Sequence, residues 1–381
     1  MDPVAVAEAV ARRSYGKLVA YLSARTRDVA GAEDALSDAF AAALVAWPRT
    51  GCPANPEAWL LTVARRKVID AARRERPVEL PSVSRDEGDI PDERLALLFV
   101  CAHPAIEASV RAPLMLQAVL GLDARKIASA FLTSPAAMGK RLVRAKEKIR
   151  QAGIPFRVPE RAELGARLGA VLEAIYASYT DVWADPAQVA DEALFLARLV
   201  AELMPEEPEA LGLLALLLYT DARRAARQGG YVPLAQQDRT LWDGAMIAEA
   251  EGLLRAAGAM GRIGRFQLEA AIQSAHVHRC VSGVGNWEHV LRLYDALFAV
   301  HGSPVVAVNR AVALAEVRGP EAGLAALDGV VMPEYQPYWA ARAELLTRAG
   351  RRGEAEAAYR QAIGLERDPA VREFLQRRAG L

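Results

Sequence analysis

The stretch from Leu122 to Arg150 constrains this chain most, because its apolar residues follow a helical period and its cations fall on another face. Met138, Leu142, Ala145 and Ile149 recur at steps of four, three and four, which places them on one side of a helix. Lys140, Arg141, Arg144 and Lys148 fall on the opposite side. Ser134 can accept a backbone N–H as the N-cap, and Pro135 suits the first helical position. A shorter helix from Ala124 to Ala130 precedes it, packing Ile127 and Ala128, with Phe131, Leu132 and Thr133 as the turn. A helix buried behind and cationic in front can lie in the major groove of DNA, where phosphates attract its charge and base edges meet its N-terminal residues. The same pattern also suits an ordinary helical hairpin with a solvated basic face.

The rest of the chain points to an all-α fold. Alanine, leucine and arginine are abundant, β-branched runs are short, and no stretch sustains the alternation of a strand. A chain of 381 residues has room for two or three domains, each burying a core. No apolar run approaches the ~20 residues that span a bilayer, and MDPVAVAEAVARR lacks a signal pattern, so a cytoplasmic chain without a membrane partner is expected.

Formal charge sums to zero but is unevenly spread. Residues 1–157 hold 24 Lys and Arg against 18 Asp and Glu, and the remainder holds 23 against 29. The N-terminal part is the candidate partner of nucleic acid. Cys52, Cys101 and Cys280 are too scattered for a disulfide framework. His276, His278 and Cys280 form the one metal-like cluster, yet on a helix His278 points away from the other two, and no metal is expected.

Taken in order, residues 3–30 read as an amphipathic helical pair with Leu18, Val19, Tyr21 and Leu22 in the core. In residues 30–47, Ala35, Leu36, Ala39, Phe40, Ala42, Ala43, Leu44 and Ala46 read as the buried side of a helix. Glu33, Asp34, Ser37 and Asp38 form an acidic patch near its start, favoured there by the helix dipole or used to dock a basic partner. Residues 48–57, rich in Pro and Gly, read as a loop. A helix from Pro56 to Arg76 follows, with Leu61, Ala64, Val68 and Ala71 as its core face and Arg65, Arg66, Lys67, Arg73 and Arg74 as its basic side. Trp59, beside Asn55, can stack on an unpaired base or belong to the core. Residues 77–93 read as an acidic linker.

This order resembles a bacterial RNA polymerase sigma factor of the extracytoplasmic-function type. The motifs that carry the resemblance are AEDALSDAFAAAL, PEAWLLTVARRKVIDAARR, the acidic linker and the segment ending LVRAKEKI. It covers residues 10–150 and implies a region 2 over 1–76, a linker over 77–93 and a region 4 helix-turn-helix over 94–153. It further implies core RNA polymerase and promoter DNA as partners, the DNA as a melted minus-10 element and a duplex minus-35 element. Glu33, Asp34, Asp38 and Phe40 then fall in the polymerase-binding helix. Asn55, Trp59, Arg65, Arg66, Lys67, Arg73 and Arg74 fall on the minus-10 strand. Ser134, Ala136, Lys140, Arg141, Arg144 and Lys148 fall on the minus-35 helix. This chain has Lys126-Ile127-Ala128 where the family usually has Glu-Ile-Ala, and small residues, Ala136, Ala137 and Gly139, open the reading helix.

Residues 154–381 read as a helical extension resembling the tetratricopeptide-like domain of one sigma subgroup. Ala343, Leu346, Gly350, Ala355, Tyr359 and Ala362 match the small and aromatic positions of such a repeat, and residues 309–328 are a weaker copy with Gly319 at the turn. Such arrays bind peptides or proteins, so the extension is expected to regulate the chain, by contact with its own basic half or another protein, or to contact polymerase. A second reading makes the chain a repressor fused to a repeat scaffold. A third, an enzyme, has only Tyr176, Tyr179, Trp183 and the His276 cluster to draw on, and no cofactor or catalytic residue is expected.

Overall fold

The computed structural model describes residues 3–75, 90–131, 133–180, 186–227 and 231–380, and every regular element among them is a helix. Contacts divide the chain into two compact units, Met1–Leu203 and Met204–Leu381.

The first unit opens with α1 (Pro3–Thr26), α2 (Val29–Thr50) and α3 (Pro56–Glu75), which pack on one another in all three pairings. Leu18, Val19, Tyr21 and Leu22 are buried as expected. The expected pair over 3–30 is instead one continuous helix up to Thr26. The helix runs on through Gly16, where a side chain would collide with the Val119 carbonyl, so the glycine serves close helix packing. The loop expected over 48–57 is shorter as well, since α2 runs through Pro48 to Thr50. Pro48 forfeits one rung of the ladder, the bond an N–H there would make to the Leu44 carbonyl, and the stop comes at Gly51, at φ 82°, whose N–H bonds the Trp47 carbonyl.

Four helices follow: α4 (Arg94–Cys101), α5 (Ala108–Leu120), α6 (Ala124–Ala130) and α7 (Pro135–Gln151). Every residue of α4 from Leu95 to Cys101 is buried, so it acts as a central peg, touching α1, α5 and the later α8 (Arg161–Thr180). With α9 (Pro186–Leu203) packed on α8, the first unit extends past the boundary expected at residue 153. The linker expected over 77–93 lies outside the described residues as far as 89, and so do Leu132 and Trp183.

The second unit is a succession of neighbours. It starts with α10 (Pro208–Asp221), where residues 211–219 are wholly buried, and α10 packs on α11 (Gly244–Ala259) and α12 (Arg265–Ser282). The series continues with α13 (Trp287–Val300), α14 (Pro304–Arg318), α15 (Pro320–Asp328), α16 (Gln336–Arg348), α17 (Arg352–Leu365) and α18 (Pro369–Ala379), each packed on the next. Ala343, Leu346, Ala355, Tyr359 and Ala362 form one buried cluster, and Gly350 turns the chain at φ 77°. Gly319 makes the earlier turn at φ 89°.

A carboxylate ties α10 to α12. Glu209 Oε2 accepts from the Phe266 N–H at 3.0 Å and Oε1 from the Gln267 N–H at 3.1 Å, so an acid from another helix caps the N-terminus of α12. Glu209→Ala is expected to lower the stability of this unit by about 2 kcal/mol, as hydrogen bonds to a charged group are lost. Urea unfolding followed by circular dichroism reads the difference, and a shift below about 0.5 kcal/mol would count against the cap.

The His276 cluster is packing. The His276 ring meets Trp287 edge-on at 5.7 Å, Arg279 lies over Trp287, and burial lowers the imidazole pKa to about 4. Among the described residues no group of three ligating side chains could hold a metal.

Candidate nucleic-acid interface

α6 and α7 are set by their caps. The Asp123 carboxylate accepts from the Arg125 and Lys126 N–H groups at 2.9 and 2.8 Å, and the Ser134 hydroxyl accepts from the Ala137 N–H at 3.2 Å. Met138, Leu142, Ala145 and Ile149 are buried, and so are Ile127 and Ala128 beneath them. The outward side of α7 exposes Ala136, Lys140, Arg144 and Lys148. Arg141 is half-buried, donating to the Ser109 hydroxyl at 2.6 Å beside Glu107 at the start of α5. Lys140, Arg144 and Lys148, which have no side-chain partner among the described residues, thus form a cationic face on a rigid apolar base, while Arg141 braces the helix against its neighbour.

Around α3 the expected residues divide. Asn55 is the N-cap, its side chain accepting from the Ala58 N–H at 3.0 Å. Trp59 is half-buried with its ring 5.5 Å from the fully buried Trp47, edge to face, so the tryptophan belongs mainly to the core. Arg65 turns inward, donating to the Tyr21 hydroxyl and lying over its ring. Arg66 and Lys67 are exposed, Lys67 facing Asp38 at 3.2 Å. The side chains of Arg73 and Arg74 lie outside the described residues.

On α2 the acidic patch divides too. Asp34 and Asp38 are exposed and Phe40 is half-buried. Glu33 is buried against α7, where Lys146 donates to its Oε2 atom. Burial pushes the Glu33 carboxyl above its usual range, against the pull of the Lys146 ammonium. Helical spacing predicts a core position for Leu44, yet Leu44 is 48% and Val45 60% exposed. Ala43 and Trp47 in the same turns are buried, so it is only the face carrying Leu44 and Val45 that no neighbouring helix covers. With Ala41 and Pro48 these side chains extend the Asp34 and Asp38 surface into an apolar strip. Helical spacing puts 41, 45 and 48 together, but only the ends of the neighbouring helices decide whether such a face is covered.

Residues 10–78 match the family model of sigma-70 region 2, which spans α1, α2 and α3. That domain supports a sigma-factor role in transcription initiation and implies binding to core RNA polymerase and promoter DNA. Residues 167–258 match a family of unknown function, DUF6596. An uncharacterized protein of Rhizobium meliloti (strain 1021) is 38% identical over 392 residues, covering 96% of this chain and 92% of that relative. The chain belongs to one family with that protein. No solved structure matches it. Region 2 therefore places the exposed face of α2 and the basic side of α3 in a domain that works with polymerase and DNA, which disfavours the repressor reading. Among the described residues no helix is long and apolar enough to cross a membrane.

Proposed function

We propose that the chain is a sigma factor of the extracytoplasmic-function type, in which α6 and α7 act as a helix-turn-helix that reads the minus-35 element. The observation that carries this reading is the pairing of a region 2 with a second, separately capped helix whose free cations share one face. On this reading the α2 surface around Asp34, Asp38 and Phe40 docks on polymerase, and Asn55, Trp59, Arg66 and Lys67 face the melted minus-10 strand. Opened bases favour a cationic groove with an aromatic edge. Arg65 serves the minus-10 surface from behind by bracing Tyr21, and Glu33 holds Lys146 until both elements are engaged.

The second unit is, on the same reading, a tetratricopeptide-like array for protein contact, since its helices pack neighbour on neighbour around small residues. Elements at minus 10 and minus 35 lie about 25 base pairs apart, roughly 85 Å along the duplex. A unit of 203 residues is only about 45 Å across, so the α2–α7 contact opens when both elements are held.

Transcription in vitro with core polymerase on a genomic DNA library tests the reading. Promoter-specific transcripts are expected with the full chain. The double variant Lys140→Ala/Arg144→Ala is expected to lose about tenfold or more, and its salt dependence should weaken by about two charges. A full chain that binds duplex DNA but yields no transcript would overturn the proposal.

A further inference from the structure

The outward midline of α7 carries an apolar side chain among its cations. Val143 is 67% exposed, though a helix position facing water gains nothing from a β-branched residue. It stands one turn past Lys140, beside Arg144, and seven residues past the exposed Ala136, a spacing that returns to the same face. Glu147 shares that midline, but its carboxylate is held by Arg150 at 2.8 Å and by Gln151, so it leans along the helix toward its C-terminal end. The face thus presents a methyl-bearing ridge flanked by Lys140 and Arg144 and free of a competing acid at its centre. Cations reach phosphates on either wall of a groove, and what lies between them meets base edges. The apolar feature a major groove offers is the C5 methyl of thymine.

We propose that Val143 is a specificity-determining residue that contacts a thymine methyl in the duplex element read by α7. The inference rests on the reading of α7 as the DNA-reading helix. A locally unfavourable residue on an otherwise charged face is what a recognition surface retains, because its benefit is realised only against the partner.

The test uses the full chain with core polymerase. Promoters are selected from a randomised library, and each thymine of the upstream element is replaced in turn by deoxyuridine, which lacks the methyl. One such replacement is expected to lower transcription three- to fivefold with the native chain, matching about 0.8 kcal/mol for one buried methyl. Val143→Ala should show no response at that position, and Val143→Thr, which keeps a methyl group, should retain most of it. Equal responses of the native chain and Val143→Ala at every thymine would overturn the inference while leaving the sigma reading intact. Transcription from that element at a level unaffected by Lys140→Ala/Arg144→Ala would instead remove α7 from DNA reading, and both proposals with it. Val143 is exposed, so its variants fold as the native chain does.

Discussion

Replacing Lys146 with alanine will destabilise the first unit by about 3–5 kcal/mol, the cost of leaving a buried charge without its partner. The Lys146 and Glu33 side chains are only 10% and 12% exposed, and the Oε1 atom of Glu33 finds no hydrogen-bond partner among the described residues. The ammonium is thus the main compensation for a carboxylate drawn from α2 into the contact with α7. The loss depends on pH in a defined direction. Burial already raises the Glu33 pKa, and removing the cation raises it further. Between the ordinary carboxylate range and that higher value the folded variant binds more protons than the unfolded chain, so its stability falls as pH rises through the window. The deficit against the native chain is therefore largest near neutrality and shrinks on acidification. Glu33→Leu/Lys146→Met, which replaces the pair by apolar groups of similar volume, should recover most of the loss. Urea unfolding of the three chains at two pH values checks this. A Lys146→Ala deficit under about 1 kcal/mol at neutral pH would show that the pair is solvated and contributes little.

Leu44→Glu/Val45→Glu will weaken binding of the chain to core polymerase by about 30-fold or more, while its helix content and unfolding midpoint stay unchanged. About half or more of each side chain is already in water, so the folded chain loses little packing. In a complex they would lie at the centre of a strip running from Asp34 and Asp38 to Pro48, with an apolar core and an acidic rim. Anchors at the centre of such a patch carry ~2 kcal/mol or more each, and a carboxylate buried without a partner adds its own cost. Titration of labelled chain with core polymerase measures the change. Binding within threefold of native would move the docking surface elsewhere on region 2.

Much of the architecture was legible in residue spacing. The all-α class, the apolar face of α7 and the cap at Ser134 all follow from local periodicity and cap chemistry. The repeat-like pattern from Ala343 to Ala362 was equally visible, because small residues at helix crossings recur at fixed steps. In each case the decisive forces act within a turn or two of the chain.

What tertiary structure alone decided concerns residues that look alike in sequence and meet different neighbours. Arg65 and Arg66 are adjacent arginines, yet the first is drawn to Tyr21 of α1 and the second stays in water. Glu33 and Asp34 are adjacent acids, and the first is paired with a lysine 113 residues away. Leu44 has the helical spacing of a core residue and lies beyond the reach of the core. Sequence by itself determined which faces of each helix could be apolar or charged, because side-chain chemistry and a 3.6-residue period are local. Which of those faces would meet another helix, and which would be left for polymerase or DNA, depended on contacts between residues far apart in the chain. No local pattern encodes that.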